Sequence, residues 1–224
     1  MTTQVRGHLS GRIEAAGLEV GDVLLDRLET YFNLLARWNN RINLTGFSLD
    51  RPTARAIDRL LVEPLLIARE LGTPPAVWFD LGSGGGSPAI PIQLYKPAQL
   101  LILVESKGRK ASFLREVVRE LRLLEVEVEA SRIESIAVSH PLSGLSDLVT
   151  VRAVSPSQTL ILAIRQLLRS RGLAALIGSN IDDSLALKLG FQVSRAVELP
   201  LIGSSMILLS KPADGSVSRG TNSD

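Results

Sequence analysis

The fold is decided by Val77-Trp78-Phe79-Asp80-Leu81-Gly82-Ser83-Gly84-Gly85-Gly86-Ser87-Pro88. An apolar run ends in an acid, a glycine-rich turn follows, and Pro88 suits the first turn of a helix. Glycine serves where a chain turns sharply or where a ligand must approach the backbone. In a doubly wound α/β sheet, the first strand-to-helix turn faces the ligand crevice. Two ligand classes fit poorly. A phosphate-cradling P-loop needs a lysine at the helix start, and no lysine precedes Lys96. A dinucleotide turn needs Gly-x-Gly-x-x-Gly, and Ser87 occupies its third glycine position.

A third class fits. Asp80-x-Gly82-x-Gly84-x-Gly86 has the acid-x-Gly-x-Gly-x-Gly pattern of an S-adenosylmethionine site. That ligand carries no phosphate, so the loop makes room and carboxylates do much of the gripping. Outward from the loop, a second apolar run ends in Glu105, placed to accept hydrogen bonds from both ribose hydroxyls. Further strands are expected over 126–129, 146–151, 173–177 and 205–210, beside 76–81 and 100–105. Helices are expected over 88–95, 109–123, 133–138, 156–171 and 182–189. Such alternation predicts an α/β fold, a mostly parallel sheet flanked by helices.

Residues 1–73 read instead as a helical extension packed on the core, ahead of a ligand-binding domain over 74–211 and a flexible tail over 212–224. Helices are expected over 10–16 and 22–38. Asn39-Asn40-Arg41-Ile42-Asn43 breaks the pattern. A last helix runs from 52 to 71, which Pro64 should kink or split. Composition narrows the chemistry. The 224 residues include no cysteine and only two histidines, His8 and His140. Disulfides, thiolate metal sites and cysteine catalysis are excluded, and no metal site is expected. No stretch reaches the roughly 18 apolar residues of a membrane span, and the N-terminus lacks a signal-peptide core. A cytoplasmic monomer without membrane contact is expected. The net charge of +2 says little about partners, so nucleic-acid contacts must come from local patches. Arg51, Arg55 and Arg59, four residues apart, form one such row; Arg115, Arg119 and Arg122 form another.

These blocks resemble the bacterial small-subunit ribosomal RNA guanine-N7 methyltransferases, the glucose-inhibited division protein B family. Tyr31-x-x-Leu34-Leu35-x-x-Trp38-Asn39-x-x-Ile42-Asn43-Leu44-Thr45 matches its helical signature. The stretch from Asp80 to Pro91 matches its cofactor loop, with Ala89 where the family usually has Gly. Val104-Glu105-Ser106, Arg109-Lys110-x-x-Phe113-Leu114, Ser131-Arg132-Ile133-Glu134 and Val151-Arg152-Ala153-Val154 follow in the family's order. The resemblance covers about residues 20–211. It implies a Rossmann-like class I methyltransferase acting on 16S ribosomal RNA or the small ribosomal subunit, with S-adenosyl-L-methionine as cofactor.

By that resemblance, Gly82 and Ser87 are loop contacts, Ile133 and Glu134 lie beside the adenine, and Arg152 lies near the methyl-donor end. Ile133 can serve both the core and the adenine. Asp58 reads equally as a polar substrate contact or as a helix acid paired with Arg55 or Arg59. No catalytic residue is assigned, because guanine N7 has a lone pair and no proton to lose. The chain also departs from the family. Arg55 and Arg59 stand where it usually has His and Ser, Ile177-Gly178 where it has Lys-Gly, and Ser205 where it has a basic residue. Those departures keep open methylation of another substrate, or cofactor binding without catalysis.

Overall fold

The computed structural model describes residues 2–152, 157–178, 181, 183–199 and 203–213. Ala153, Val154 and the tail beyond 213 lie outside the described residues. The first helix, α1 (Thr2–Ala15), starts well before the expected residue 10. Val5, Leu9 and Ile13 recur every fourth residue and are buried, the spacing of one helix face. Gly7 and Gly11 between them mask that stripe in the sequence. Next, α2 (Asp22–Asn39) buries Leu25, Leu28, Tyr31, Phe32, Leu34 and Leu35, close to the expected helix.

The expected single helix over 52–71 is three pieces. Thr53 caps α3 (Ala54–Ile57), its Oγ1 accepting the Ala56 N–H at 3.2 Å. A π-helical turn, Asp58–Val62, leads into α4 (Glu63–Leu71). Pro64 explains the break. It has no N–H, and its ring clashes with the carbonyl four residues back. The wider π turn lets the Glu63 N–H reach the Asp58 carbonyl and leaves the Arg59 and Leu60 carbonyls without a donor from Pro64. Two side chains from elsewhere replace it. Ser87 Oγ donates to Leu60 O at 2.8 Å, and Arg152 donates to Arg59 O at 3.1 Å. The helical arginine row is also corrected. Arg51 precedes α3 and lines a different cavity from Arg55 and Arg59.

The sheet follows: β1 (Val77–Leu81), α5 (Ala89–Tyr95), β2 (Leu100–Val104), α6 (Gly108–Glu120), β3 (Val126–Glu129), α7 (Ile133–Ser139), β4 (Ser146–Arg152), α8 (Gln158–Leu167), β5 (Leu168–Ile177), α9 (Asp183–Lys188), β6 (Gln192–Leu199) and β7 (Ser204–Ser210). Seven strands lie in the order β3-β2-β1-β4-β5-β7-β6. Strands β1 to β5 are parallel, and β7 is antiparallel to both neighbours. Two expectations change. α8 stops at Leu167 rather than running to 171, and Lys211 Nζ donates to the carbonyls of Arg165 and Leu168 at this boundary. β5 then begins at Leu168, paired with Ser146. The edge strand β6 was not expected: its side chains are mostly exposed, so it shows no apolar alternation.

Period-two alternation sorts the strand residues onto two faces. Trp78, Leu101 and Leu103 join a core shared with α1, α2, α4 and α6, containing Leu28, Leu35, Leu61 and Phe113. Phe79, Ile102 and Val104 join the opposite core under α7 and α8, with Ile161 and Ile164. The chain order reverses between β1 and β4, which places the ligand crevice of a doubly wound sheet at the carboxyl ends of those two strands.

The proline-freed carbonyl gives the first test. Ser87→Ala removes the donor to Leu60 O and should cost about 1–2 kcal/mol in urea unfolding. Adding Pro64→Ala supplies an N–H within the same helix and should recover part of that loss. Additive effects of the two changes would rule out this linkage.

Candidate functional site

Beyond β1 the backbone folds back on itself. The Gly82 and Ser83 N–H groups both donate to Val104 O, at 2.9 and 3.0 Å. The last two glycines face the helical extension. A Cβ on Gly85 would stand 3.2 Å from Leu35 Cδ1 and 3.3 Å from Leu44 O. Gly86 has φ +84, and its Cβ would meet Ile90 Cγ1 at 3.0 Å. Tyr31 Oη donates to Gly85 O at 2.6 Å, and burial raises the phenol's pKa. Asn39 Oδ1 accepts the N–H groups of Leu44 and Thr45, both at 2.9 Å, and so shapes the turn that packs on Gly85. Thus Gly85 and Gly86 permit close packing, while Gly82 and Gly84 face the crevice side.

Glu105 directly follows β2. Its Oε2 accepts the Gly84 N–H at 2.9 Å and its Oε1 the Lys107 N–H at 2.8 Å. A carboxylate offers about four lone-pair sites, so two backbone donors orient it and leave capacity for hydroxyl groups. A cavity of about 300 Å³ lies there, lined by Gly82, Glu105, Ser131, Arg132, Ile133 and Glu134, with Val104 and Ser106. That volume is at the lower end for small-molecule pockets. A larger cavity of about 580 Å³ lies among the N-terminal helices, against Val5, His8, Phe32 and Arg51. It is away from the strand ends, and the smaller cavity is the one that gathers the candidate residues.

Asp80 ends its run buried. Thr150 Oγ1 donates to Asp80 Oδ1 at 2.5 Å and accepts from Trp78 Nε1 at 2.9 Å. Burial raises the Asp80 pKa, against the Thr150 hydrogen bond and the Arg152 charge. Across the switch point, Arg152 ends β4 with a mostly buried guanidinium. Burial is the main cause that pushes its pKa down to about 10, and Arg59 acts in the same direction; it stays charged at neutral pH. Glu63, fully buried, accepts Arg59 NH1 on both oxygens at 2.6 and 2.8 Å. It also accepts Ser204 Oγ at 2.7 Å and stands 3.7 Å from Arg152. A second cavity of about 430 Å³ sits against this network, lined by Arg55, Arg59, Gly178, Ser204 and Ser205 among others.

These features can be set beside known proteins. The family described as rRNA small subunit methyltransferase G matches residues 24–198. The ribosomal RNA small subunit methyltransferase G of Halorhodospira halophila is 38% identical over 182 residues, 81% of this chain and 82% of that protein. The chain belongs to this family. The Chloroflexus aggregans protein of the same name is 33% identical, across 95% of this chain and 92% of that one. A SAM-dependent methyltransferase from Aquifex aeolicus, at 16% identity and TM-score 0.56, covers 72% of this chain and 94% of its own, and shows the shared fold.

Within the family's frame, the expected residues separate. Gly82, Glu105, Ile133 and Glu134 meet in one cavity, with Gly84 bonded to Glu105. Ser87 turns its hydroxyl to Leu60 O, and Gly86 faces Ile90 and Leu114. Asp58 is corrected in one of its readings. It is buried, and Arg12 takes both carboxylate oxygens at 2.7 and 2.6 Å, so its ion-pair partner is neither Arg55 nor Arg59. Three of the departures from the resemblance, Arg55, Arg59 and Ser205, line the second cavity. At the fourth, Ile177 is buried in the core and its neighbour Gly178 lines that cavity. Sequence reasoning missed Glu63, although its four-residue spacing from Arg59 was a readable signal. It also missed Thr150, which nothing in the sequence marks.

A carboxyl whose native pKa lies above its unfolded value of about 3.9 contributes stability that is complete below that value and lost as pH rises through the native one. Wild type should therefore lose stability relative to Asp80→Asn as pH rises across that window. Urea titrations at several pH values check this, and a pH-independent difference would contradict it.

Proposed function

We propose that this chain transfers a methyl group from S-adenosyl-L-methionine to the N7 atom of a guanine in 16S ribosomal RNA. The observation that carries the reading is Glu105, held by two backbone N–H groups in the cavity that also contains Gly82, Ile133 and Glu134. Family membership supports the reaction. The residues present fit the cofactor. Glu105 has acceptor capacity for a ribose diol, and Ile133 offers an apolar wall for an adenine. Glu134 stands beside it, and Asp80 with the Gly82–Gly84 backbone borders the amino acid end. Gly86 and Ser87 hold the loop in shape from behind.

When bound, the cofactor supplies a methyl group already activated on a sulfonium. The chain's work is then to align and to exclude water. Guanine N7 has a free lone pair, so no general base is needed, in keeping with Asp80 being committed to Thr150 and Glu105 to backbone donors. Arg152, buried and charged at the end of β4, supplies fixed positive charge at the switch point, and Arg55 and Arg59 face the RNA. Asp58 serves RNA binding only by fastening the π turn to α1 through Arg12. In this reading residues 1–73 are part of the site rather than a separate unit, and the protein works as a cytoplasmic monomer. No helix among the described residues is long and apolar enough to cross a membrane. One observation favours a second reading, the same chemistry on a different substrate. Three positions where this chain departs from the family's usual residues, Arg55, Arg59 and Ser205, line one cavity.

Calorimetry should show S-adenosylmethionine binding that Glu105→Ala weakens tenfold or more, about 1.4 kcal/mol. Labelled methyl should enter small subunits lacking their guanine-N7 mark, at a guanine identified by mapping. Cofactor binding with no label in RNA would favour the second reading. No cofactor binding would overturn both.

A further inference from the structure

The described residues that line the second cavity, Phe47, Arg55, Arg59, Gly178, Gly203, Ser204 and Ser205, include no carboxylate. Arg59 is held there in one orientation. Its NH1 is committed to the buried Glu63, while its Nε and NH2 have no acceptor among the described residues. The NH2 atom lies 3.0 Å from where a Cβ of residue 178 would stand, and Gly178 has φ +65. A side chain at 178 would therefore be strained and would press on the guanidinium. Arg55 lies one turn earlier, is exposed, and has no partner among the described residues. Below them, the buried Glu63 faces two guanidinium groups, Arg59 and Arg152, and Asp80 also acts on Arg152. Positive charge is thus in excess, and part of it is held rigidly.

Guanidinium donors fixed in a fork select oxyanions. The cavity lies at the same carboxyl end of the sheet as the glycine loop, since Gly178 directly follows β5, which runs parallel to β1 through β4. It is joined to that loop through the π turn, where Ser87 holds Leu60 and Arg152 holds Arg59. We propose that this cavity is a phosphodiester subsite. It seats a backbone phosphate of the RNA next to the base that receives the methyl group. Arg55 and Arg59 are its donors, and Glu63 is the positioning residue that aims Arg59. The inference rests on the RNA methyltransferase reading and adds where the RNA backbone is gripped.

Equilibrium filter binding of the full chain to 16S ribosomal RNA over a range of KCl concentrations tests it. Removing a single arginine–phosphate pairing lowers the steepness of log K against log salt by about 0.7–0.9. Arg55→Gln should flatten the plot by that amount and weaken binding about tenfold at low salt. Arg55→Lys should restore the steepness. Arg169→Gln, at the far end of β5 from Gly178 and outside the cavity, should leave it unchanged. Replacing chloride by inorganic phosphate at equal ionic strength should displace RNA from wild type several-fold more effectively than from Arg55→Gln. Calorimetric cofactor affinity should be equal in all four proteins. An unchanged salt dependence in Arg55→Gln, or equal competition by phosphate against both proteins, overturns the subsite. If RNA binding behaves as expected while no methyl reaches small subunits, the proposed reaction falls and the subsite stands. If methyl is transferred and Arg55→Gln binds like wild type, the subsite falls alone.

Discussion

The structure depends on a hydrogen-bond donor that is missing. Pro64 has no N–H, so the helix before it widens into a π turn and two carbonyls need partners from elsewhere. One is served by Ser87 in the glycine loop and the other by Arg152 at the end of β4. The helical extension is thereby fastened to both sides of the sheet's switch point. A weakness in one helix becomes the joint that holds the site together, and the same turn presents Arg59 to its cavity.

A second constraint is steric. The glycine loop is flanked by the cavity at Glu105 on one side and by α2 with the 40–47 turn on the other. Gly85 and Gly86 belong to the packing side, where a Cβ would crowd Leu35, Leu44, Ile90 and Leu114. The loop's four glycines therefore serve two different purposes. Asp80 is fixed in a similar way from within the sheet, through Thr150 to Trp78.

Much of this was legible in the sequence. The glycine loop, Glu105 and the strand–helix alternation all mark themselves by local pattern, and local pattern is what a single sequence carries. Gly82, Glu105, Ile133 and Glu134 line one cavity. What stayed hidden depends on residues far apart in the chain. Asp58 looked available for an arginine on its own helix, but its partner Arg12 is 46 residues away. Ser87 carries a hydrogen bond that local pattern could not show, its hydroxyl donating to Leu60 O 27 residues upstream. Strand β6 could not be read because its side chains face water and only its backbone pairs with β7. Glu63 was a missed local signal, since its spacing from Arg59 alone suggests the pair.

The packing of α2 against the glycine loop also bears on how the chain comes to be folded. Tyr31, Leu28 and Leu35 leave the ribosome well before the surfaces that bury them, among them Ile90, Phe113 and Leu114. Helices made first must wait for strands made later, with their apolar faces uncovered in the meantime. Pairings of such long sequence separation slow folding, because the intervening chain must be ordered before they repay its entropy. The nascent chain thus passes through a period in which residues 22–71 are helical in preference but lack the strand-side surfaces that bury them, a hazard built into placing the loop's support ahead of the loop rather than beside it.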